Sequence, residues 1–515
     1  MEIPVSGRDV EKLSDSCTSI TTSSSNSEPP HSKFEQVIQG ITSVLSQWGL
    51  ETNGIVPVPE DERDDSRLYQ MFFVWFSANA NVLTLAAGTV GPAFYGLGIL
   101  DSLWIILVVD FVTCAIPAYY AVFGPKLGTR SMVQSRFSWG YYGAIIPSLL
   151  NVFSLEGYLI LNCIIGGQTL AATSSHLNAT LGIVVVSLIS FAVRTSPRHF
   201  TIGTHVYETV VWIPNVVAFI VMVVVGWKDL VSAPLYSTSP VSVSVIMTFG
   251  ATLAATNVSW APLTPDYGVY HDHRASSVRI FLYTYLGFVV SSVPAHVLGA
   301  AFTATAYSVP TWQAGLGNGN DIGGLMAAIL APTGRFGKFL LVMLSLTSPS
   351  VCAPSMYTLC TSFMTVAPIF ARIPRFLIAI ASVAILIPVA IVGADKLYAT
   401  FVDILSLIGY WLAPYCAIVL TEHFVFRKSW SSYHVLDAWN QPRHPNLPRG
   451  LASLATFLTC VGIIVVCMEQ EWWIGPVARA GTGDVGMLVA FVGGIGVYAF
   501  ARWGEKRWEE CRGFN

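Results

Sequence analysis

Charge is scarce in this chain of 515 residues. Asp, Glu, Lys and Arg make up 11% of it, about half the share found in a soluble domain. That excludes an ordinary soluble enzyme or binding module. A net charge of −3 gives no basic surface for nucleic acid. Nine cysteines are present, but none forms a CxxC pair or a Cys/His spacing fit for a metal. Cys114, Cys163, Cys352, Cys360, Cys460 and Cys467 lie in apolar runs and read as small packing residues rather than a disulfide framework. No signal peptide is expected: "DSCTSITTSSSNSEPPHSKFE" has no apolar core and reads as a disordered tail. His205, His271 and His273 sit at helix ends without the spacing of a metal site or of a base beside a nucleophile. Neither a catalytic set nor a cofactor is expected, and the chain is not read as an enzyme.

Apolar sequence is what the chain has in excess. Hydrophobic residues reach 53%, and mean hydropathy is +0.59. Apolar runs of about 20 residues span a bilayer core as helices. Twelve such segments appear: 70–92, 98–122, 142–168, 179–195, 204–226, 241–270, 276–305, 337–367, 373–394, 398–421, 449–468 and 484–503. The expected fold is an all-α membrane protein of 12 transmembrane helices. A tail over 1–68 precedes a ten-helix core over 69–421. A loop over 422–448, helices eleven and twelve over 449–503, and a tail over 504–515 follow.

Loop charge sets orientation. With the N-terminus inside, the inner loops hold thirteen Lys and Arg between Lys126 and Arg449. The outer loops hold five: Lys228, Arg335, Lys338, Lys396 and Arg479. Both termini are therefore expected in the cytoplasm. The sequon Asn178-Ala179-Thr180 falls on the outer side, too near the membrane to expect its use.

Two segments are interrupted. The first reads "WFSANANVLTLAAGTVGP" (75–92), with polar residues that include Thr84, then Ala-Ala-Gly, then Gly91-Pro92. The sixth contains "NVSWAPLTPDYG" (257–268). Segments one and six hold matching places in two five-helix halves, and such matching interruptions point to a transporter built from inverted repeats. Pro262 and Pro265 remove two backbone donors, and in hydrocarbon the freed groups must face protein, water or a ligand. The stretch is either a proline kink repaired by its neighbours or a hinge that binds a substrate. Trp260 favours the hinge, because an indole face can stack on a planar heterocycle. Asp266 is placed to cap the second half-helix.

Further candidates follow from spacing. Tyr158 and Asn162, four apart in "NVFSLEGYLILNCIIGGQTL" (151–170), share a helix face. A ring and an amide together suit a heterocyclic base, or make an interhelical hydrogen bond. Glu156 falls on another face. In "LVMLSLTSPSVCAPSMYTLCTSF" (341–363), Pro349 and Pro354 predict a disturbed helix. Ser355 and the carbonyls before Pro354 are candidate ligands, unless the hydroxyls bond back to their own helix. Glu208 lies within the fifth segment. A carboxylate at membrane depth marks function by default, so Glu208 is a candidate proton carrier, or else a charge that reaches the surface or pairs with Arg198 or Arg274. Asp110 and Asp403 are of the same kind.

"YETVVWIP", "SWAPLTPDY", "LIGYW…TEHFVFR" (407–427) and "VPEDERDDSRLYQMFFVWFSANANV" together resemble the fungal purine-cytosine permeases of the first nucleobase–cation symporter family. The resemblance covers about Ile55 to Arg502. It implies a LeuT-like five-plus-five inverted repeat with two extra helices. It also implies uptake of a nucleobase or related heterocycle across the plasma membrane, with a proton as coupling ion. The substrate-binding roles fall by position to Tyr158, Asn162, Trp260, Pro354, Ser355 and Thr84, and the proton-coupling roles to Glu208 and Asp266. Two positions depart from the family pattern: Gly157-Tyr158 stands where the family has Gly-Trp, and Pro354-Ser355 where it has Pro-Asn. A serine lacks the paired donor and acceptor of an amide, so a vitamin B6 compound, a nucleoside or a specialised metabolite stays open as cargo. A receptor that binds without transporting is a third reading. The Ser/Pro run disturbs the place where sodium-using relatives set hydroxyls, which favours protons.

Overall fold

The computed structural model describes residues 54–195, 212–237, 240–317 and 319–511. Glu208, Arg198 and His205 lie outside the described residues, as does most of the N-terminal tail.

The first segment forms two helices, α1 (Tyr69–Asn79) and α2 (Val82–Tyr95), bent by 53°. Asn81 makes the break: its side chain accepts from the Thr84 amide at 2.9 Å and caps α2. The break therefore precedes the Ala-Ala-Gly and Gly91-Pro92 positions, which lie inside α2. Pro92 is tolerated because it falls in the last turn, where Gly96 at φ 67° ends the helix.

Next come α3 (Ile99–Thr113), continued by short helices to Leu127, then α4 (Ile145–Ala171), α5 (Ala179–Thr195) and α6 (Trp212–Ser232). The second half opens with another broken pair, α7 (Val243–Val258) and α8 (Thr264–Gly268). It continues with α9 (Ser277–Ala306), the short α10 (Pro310–Leu316) and α11 (Ile322–Leu330), then α12 (Arg335–Val366), α13 (Arg375–Gly393) and α14 (Leu397–Thr421). After these, α15 (Leu451–Cys467) leads through a small antiparallel hairpin, β1 (Glu469–Gln470) and β2 (Trp473–Ile474), to α16 (Gly486–Cys511). Each of the twelve apolar segments holds a helix. Among the described residues, 7 stretches suffice by length and apolarity to cross a membrane, or 8 with α1 and α2 as one span. One of these, Arg375–Arg427, contains both α13 and α14, while α5, α7 and α15 are apolar but shorter.

Packing joins the halves. α9 runs along both α1 and α2, α4 lies against α12, and α15 and α16 attach through α14. The contact of α2 with α9 needs Gly88, where any Cβ would run into the backbone of His296. Large apolar side chains such as Phe153, Val224, Val392 and Phe500 face outward. Asp110, Asn162, Thr84 and His296 are buried instead. This inversion suits a chain immersed in hydrocarbon.

Two expected boundaries and one expected interruption change. Residues 54–68 are docked rather than part of a loose tail: Val58 N–H donates to the Gly128 carbonyl at 2.8 Å, and Asp272 N–H to that of Asp65 at 3.0 Å. α16 runs to Cys511, past the expected end at 503, where Arg502 pairs with Glu505 and Glu509 one and two turns on. The eighth segment is not disturbed. α12 is one helix of 32 residues across Pro349 and Pro354. Hydroxyls bond back along it, Thr347 to the Leu344 carbonyl at 2.6 Å and Ser350 to that of Thr347 at 2.6 Å.

Candidate functional site

The break between α7 and α8 is a run of tight turns. Trp260 N–H donates to the Asn257 carbonyl at 3.3 Å, and Ala261 N–H to that of Val258 at 2.9 Å. Pro262 has no N–H to give. The Thr256 carbonyl, released by the helix, accepts two hydroxyls: Tyr158 at 3.0 Å and Ser259 at 2.7 Å. Thr264 Oγ1 donates to the Pro117 carbonyl at 3.0 Å. Neighbouring side chains thus repair this break, and what it presents to a ligand is chiefly the Trp260 ring.

That ring lies in an aromatic cluster. Its centroid is 6.1 Å from Tyr158 at 58° and 5.7 Å from Trp75 at 68°. Trp75 stacks on Phe288 at 5.1 Å and 18°. On the α1 side of Trp260, a cavity of 640 Å³ is lined by Arg67, Tyr69, Trp75, Ser77, Tyr267, Ser350 and Pro354 among others. On the other side, Asn151, Ser154, Tyr158, Ser259, Ser355 and Trp411 enclose a space of about 10 Å³, room for about one water centre.

The sequence-derived residues fall out as follows. Tyr158, Trp260 and Ser355 come together around the small space, and Pro354 lines the larger cavity with Trp260. Ser355 donates to the Val351 carbonyl of its own helix at 3.0 Å. Asn162 is buried, and its amide donates to the Tyr158 carbonyl at 2.9 Å, so it steadies α4 and lines neither space. Thr84 sits at the start of α2, its hydroxyl 3.4 Å from Asn81 Oδ1. Asp266 does not cap α8, which has no side-chain cap. Its carboxylate accepts instead from the Ser131 amide at 2.7 Å and Thr361 Oγ1 at 3.4 Å, while Arg130 donates to its carbonyl at 2.7 Å. It fastens α8 to the loop after α3 and to α12. Glu156, on its separate face, accepts from Ser382 at 2.6 Å.

Sequence reasoning missed Asn151, Ser154, Trp411 and Trp75. Asn151, Ser154, Leu155 and Tyr158 follow the i, i+3, i+4, i+7 pattern of one helix face, and extending the Tyr158 face backward finds them. Trp411 donates to Ser154 Oγ at 2.7 Å. Its motif "LIGYW" was visible without a role. The "TEHFVFR" part of that motif is structural: buried Glu422 pairs with Arg427 and Arg502, both at 3.3 Å.

Two broken helices at matching places, enclosing an aromatic site within a helical bundle, define a multi-pass membrane transporter. Residues 57–475 match the permease family for cytosine/purines, uracil, thiamine and allantoin. The chain is 30% identical over 492 residues to the purine-cytosine permease fcyB of Emericella nidulans, covering 94% of this chain and 95% of that one. It is 24% identical over 551 residues to the vitamin B6 transporter TPN1 of Saccharomyces cerevisiae, covering 96% and 94%. Among solved structures it resembles the inward-facing conformation of Mhp1, with a TM-score of 0.62 at 16% identity over 88% of this chain and 94% of that one. The fold is therefore the LeuT-like inverted repeat. The chain belongs to the cytosine/purine permease family.

Proposed function

We propose that this protein takes up a purine- or cytosine-type nucleobase across the plasma membrane together with a proton, crossing the bilayer twelve times with both termini in the cytoplasm. One observation carries the reading: Trp260, at the break in the sixth span, lines a cavity of 640 Å³ together with residues of α1. Trp260 is itself only 4% exposed, and an indole face lining a cavity of this size suits a flat heterocycle, which can stack on it. Tyr158 would supply the second ring, with Ser355, Asn151 and Pro354 at the edge. Asn162 and Thr84 support that site through the backbone. With the N-terminus inside, as the inner-loop charge favours, the Arg67 end of this cavity would lie toward the cytoplasm.

A proton rather than a metal cation is supported at the first break, where the Ala80 carbonyl already accepts from the Asn215 amide at 2.6 Å. Glu208 and Asp266 are the sequence-derived proton-coupling groups. Asp266 is engaged on three elements, which favours a latch that opens and closes over one that trades protons freely.

A second reading has its own support. The Tyr158 hydroxyl is committed to the hinge, a contact that an indole at this place would not make in the same way. A vitamin B6 compound fits this reading, since such a transporter is among the chain's relatives. One experiment tests both. In cells lacking nucleobase uptake, labelled cytosine is offered at acidic and neutral pH, with adenine, hypoxanthine, uracil and pyridoxine as competitors. Accumulation that is faster at acidic pH and blocked by adenine supports the first reading. Binding without accumulation would identify a receptor and overturn it.

A further inference from the structure

Resting on the reading of a proton-coupled transporter, we infer that the Asp110–His296 pair is a proton-binding site that acts on the hinge of the sixth span. Asp110 lies on α3 and His296 on α9, and neither exposes any surface. His296 Nδ1 is 2.8 Å from Asp110 Oδ2. The other carboxylate oxygen accepts from the Asn257 amide at 2.8 Å, and that amide also reaches Thr113 Oγ1 at 2.9 Å. Asn257 is the penultimate residue of α7 and stands three positions before Trp260. The His296 backbone rests on Gly88 of α2. The pair therefore touches both broken helices, at α7 through a side chain and at α2 through the backbone.

Two buried polar atoms at this site have no partner among the described residues: His296 Nε2 and Asn257 Oδ1. An ionised carboxylate only accepts, so Nδ1 carries a hydrogen toward it and Nε2 is left as the free lone pair. In that state the pair holds one net negative charge in a medium that penalises it. A proton added at Nε2 turns the ring into an imidazolium, and the pair becomes neutral with the Nδ1 hydrogen bond kept. The carboxylate is then shared with a full positive charge, and its hold on the Asn257 amide weakens. Loss of that hold frees the end of α7, where Trp260 meets cargo.

Among the described residues, two further titratable groups border this place. Cys114 lies one turn further along α3, its N–H on the Asp110 carbonyl, and the Tyr285 hydroxyl of α9 donates to the Phe111 carbonyl at 2.8 Å. α7 contributes the Asn257 amide, and α2 the backbone at Gly88.

The test uses the full chain in proteoliposomes with labelled cytosine and an inside-alkaline gradient of one pH unit. Such a gradient drives about tenfold accumulation if one proton accompanies each cargo. Wild type is expected to reach that level. His296→Gln, which keeps a hydrogen-bonding amide but cannot titrate, is expected to lose the accumulation while still exchanging labelled for unlabelled cytosine without a gradient. Gradient-driven accumulation by His296→Gln at the wild-type level, with the wild-type pH profile, overturns the inference alone. A wild type that exchanges cytosine but ignores the gradient overturns proton coupling, and one that moves no cytosine overturns the cargo; either removes the inference with it. Should His296→Gln not fold, NMR of isotope-labelled histidines in wild type decides. A buried imidazole whose Nε2 gains a proton over the pH range in which uptake rises supports the site. Titration confined to exposed imidazoles overturns it.

Discussion

The Tyr158 hydroxyl lies 2.8 Å from Ser259 Oγ, and both groups donate to the carbonyl of Thr256. The ring expected to stack on cargo is thus tied to the hinge that must move. Tyr158→Phe keeps the ring and cuts the tie. A net hydrogen bond contributes about 1 kcal/mol, so the KM for cytosine uptake should shift about fivefold, with competitor preference changing as well. An unaltered KM and competition profile would show that the hydroxyl is idle.

At the first break, Asn81 caps α2 through the Thr84 amide. Asn81→Ala should lower stability by about 1 kcal/mol, read as a fall in the melting temperature of purified protein. Asn81→Ser keeps a neutral capping acceptor and should recover part of it. Equal melting temperatures for all three proteins would contradict the capping role.

Gly88 is required by contact rather than by backbone angle. A Cβ there would overlap the His296 carbonyl, so Gly88→Ala must push α2 and α9 apart. Overpacking of this kind costs about 1–3 kcal/mol. Reduced delivery to the membrane and a lower melting temperature are expected, and wild-type values of both would mean that the two helices are not held this closely.

Asp266 joins α8 to the Ser131 amide and to α12. Asp266→Ala leaves that buried amide unpaired, and hydrogen bonds to charged groups contribute about 1.5–3 kcal/mol. Uptake should fall while exchange at equal concentrations changes less, because the latch would then close poorly. Full net uptake by Asp266→Ala would remove the latch.

The break in the sixth span was legible because prolines, small polar residues and a tryptophan crowd into a stretch that should be plain apolar helix. The first break falls within the stretch 75–92 where it was expected, and the structure narrows it to the Asn81 cap at the head of α2 rather than Gly91-Pro92. The prolines of α12 misled: back-bonded hydroxyls and packing against α4 hold that helix together across them. Tyr158 and Trp260 were found through the resemblance and through ring chemistry, and the structure puts their rings in contact. Asn162 shares the helix face but spends its amide on its own backbone. The partnership of Asp110 with His296 was out of reach, since 186 residues separate the two and only the fold brings them together. Asn151 and Ser154 were within reach, as they continue the Tyr158 face.

The central claim is that cargo stacks on Trp260. The most direct measurement is accumulation of labelled cytosine by Trp260→Ala, with surface delivery checked in the same cells. Removing the indole deletes the stacking face, and base–aromatic stacking is worth about 1–3 kcal/mol per base. Normal delivery is expected, with loss of saturable uptake at cytosine concentrations where wild type is half-saturated. Saturable uptake with the wild-type KM would contradict it.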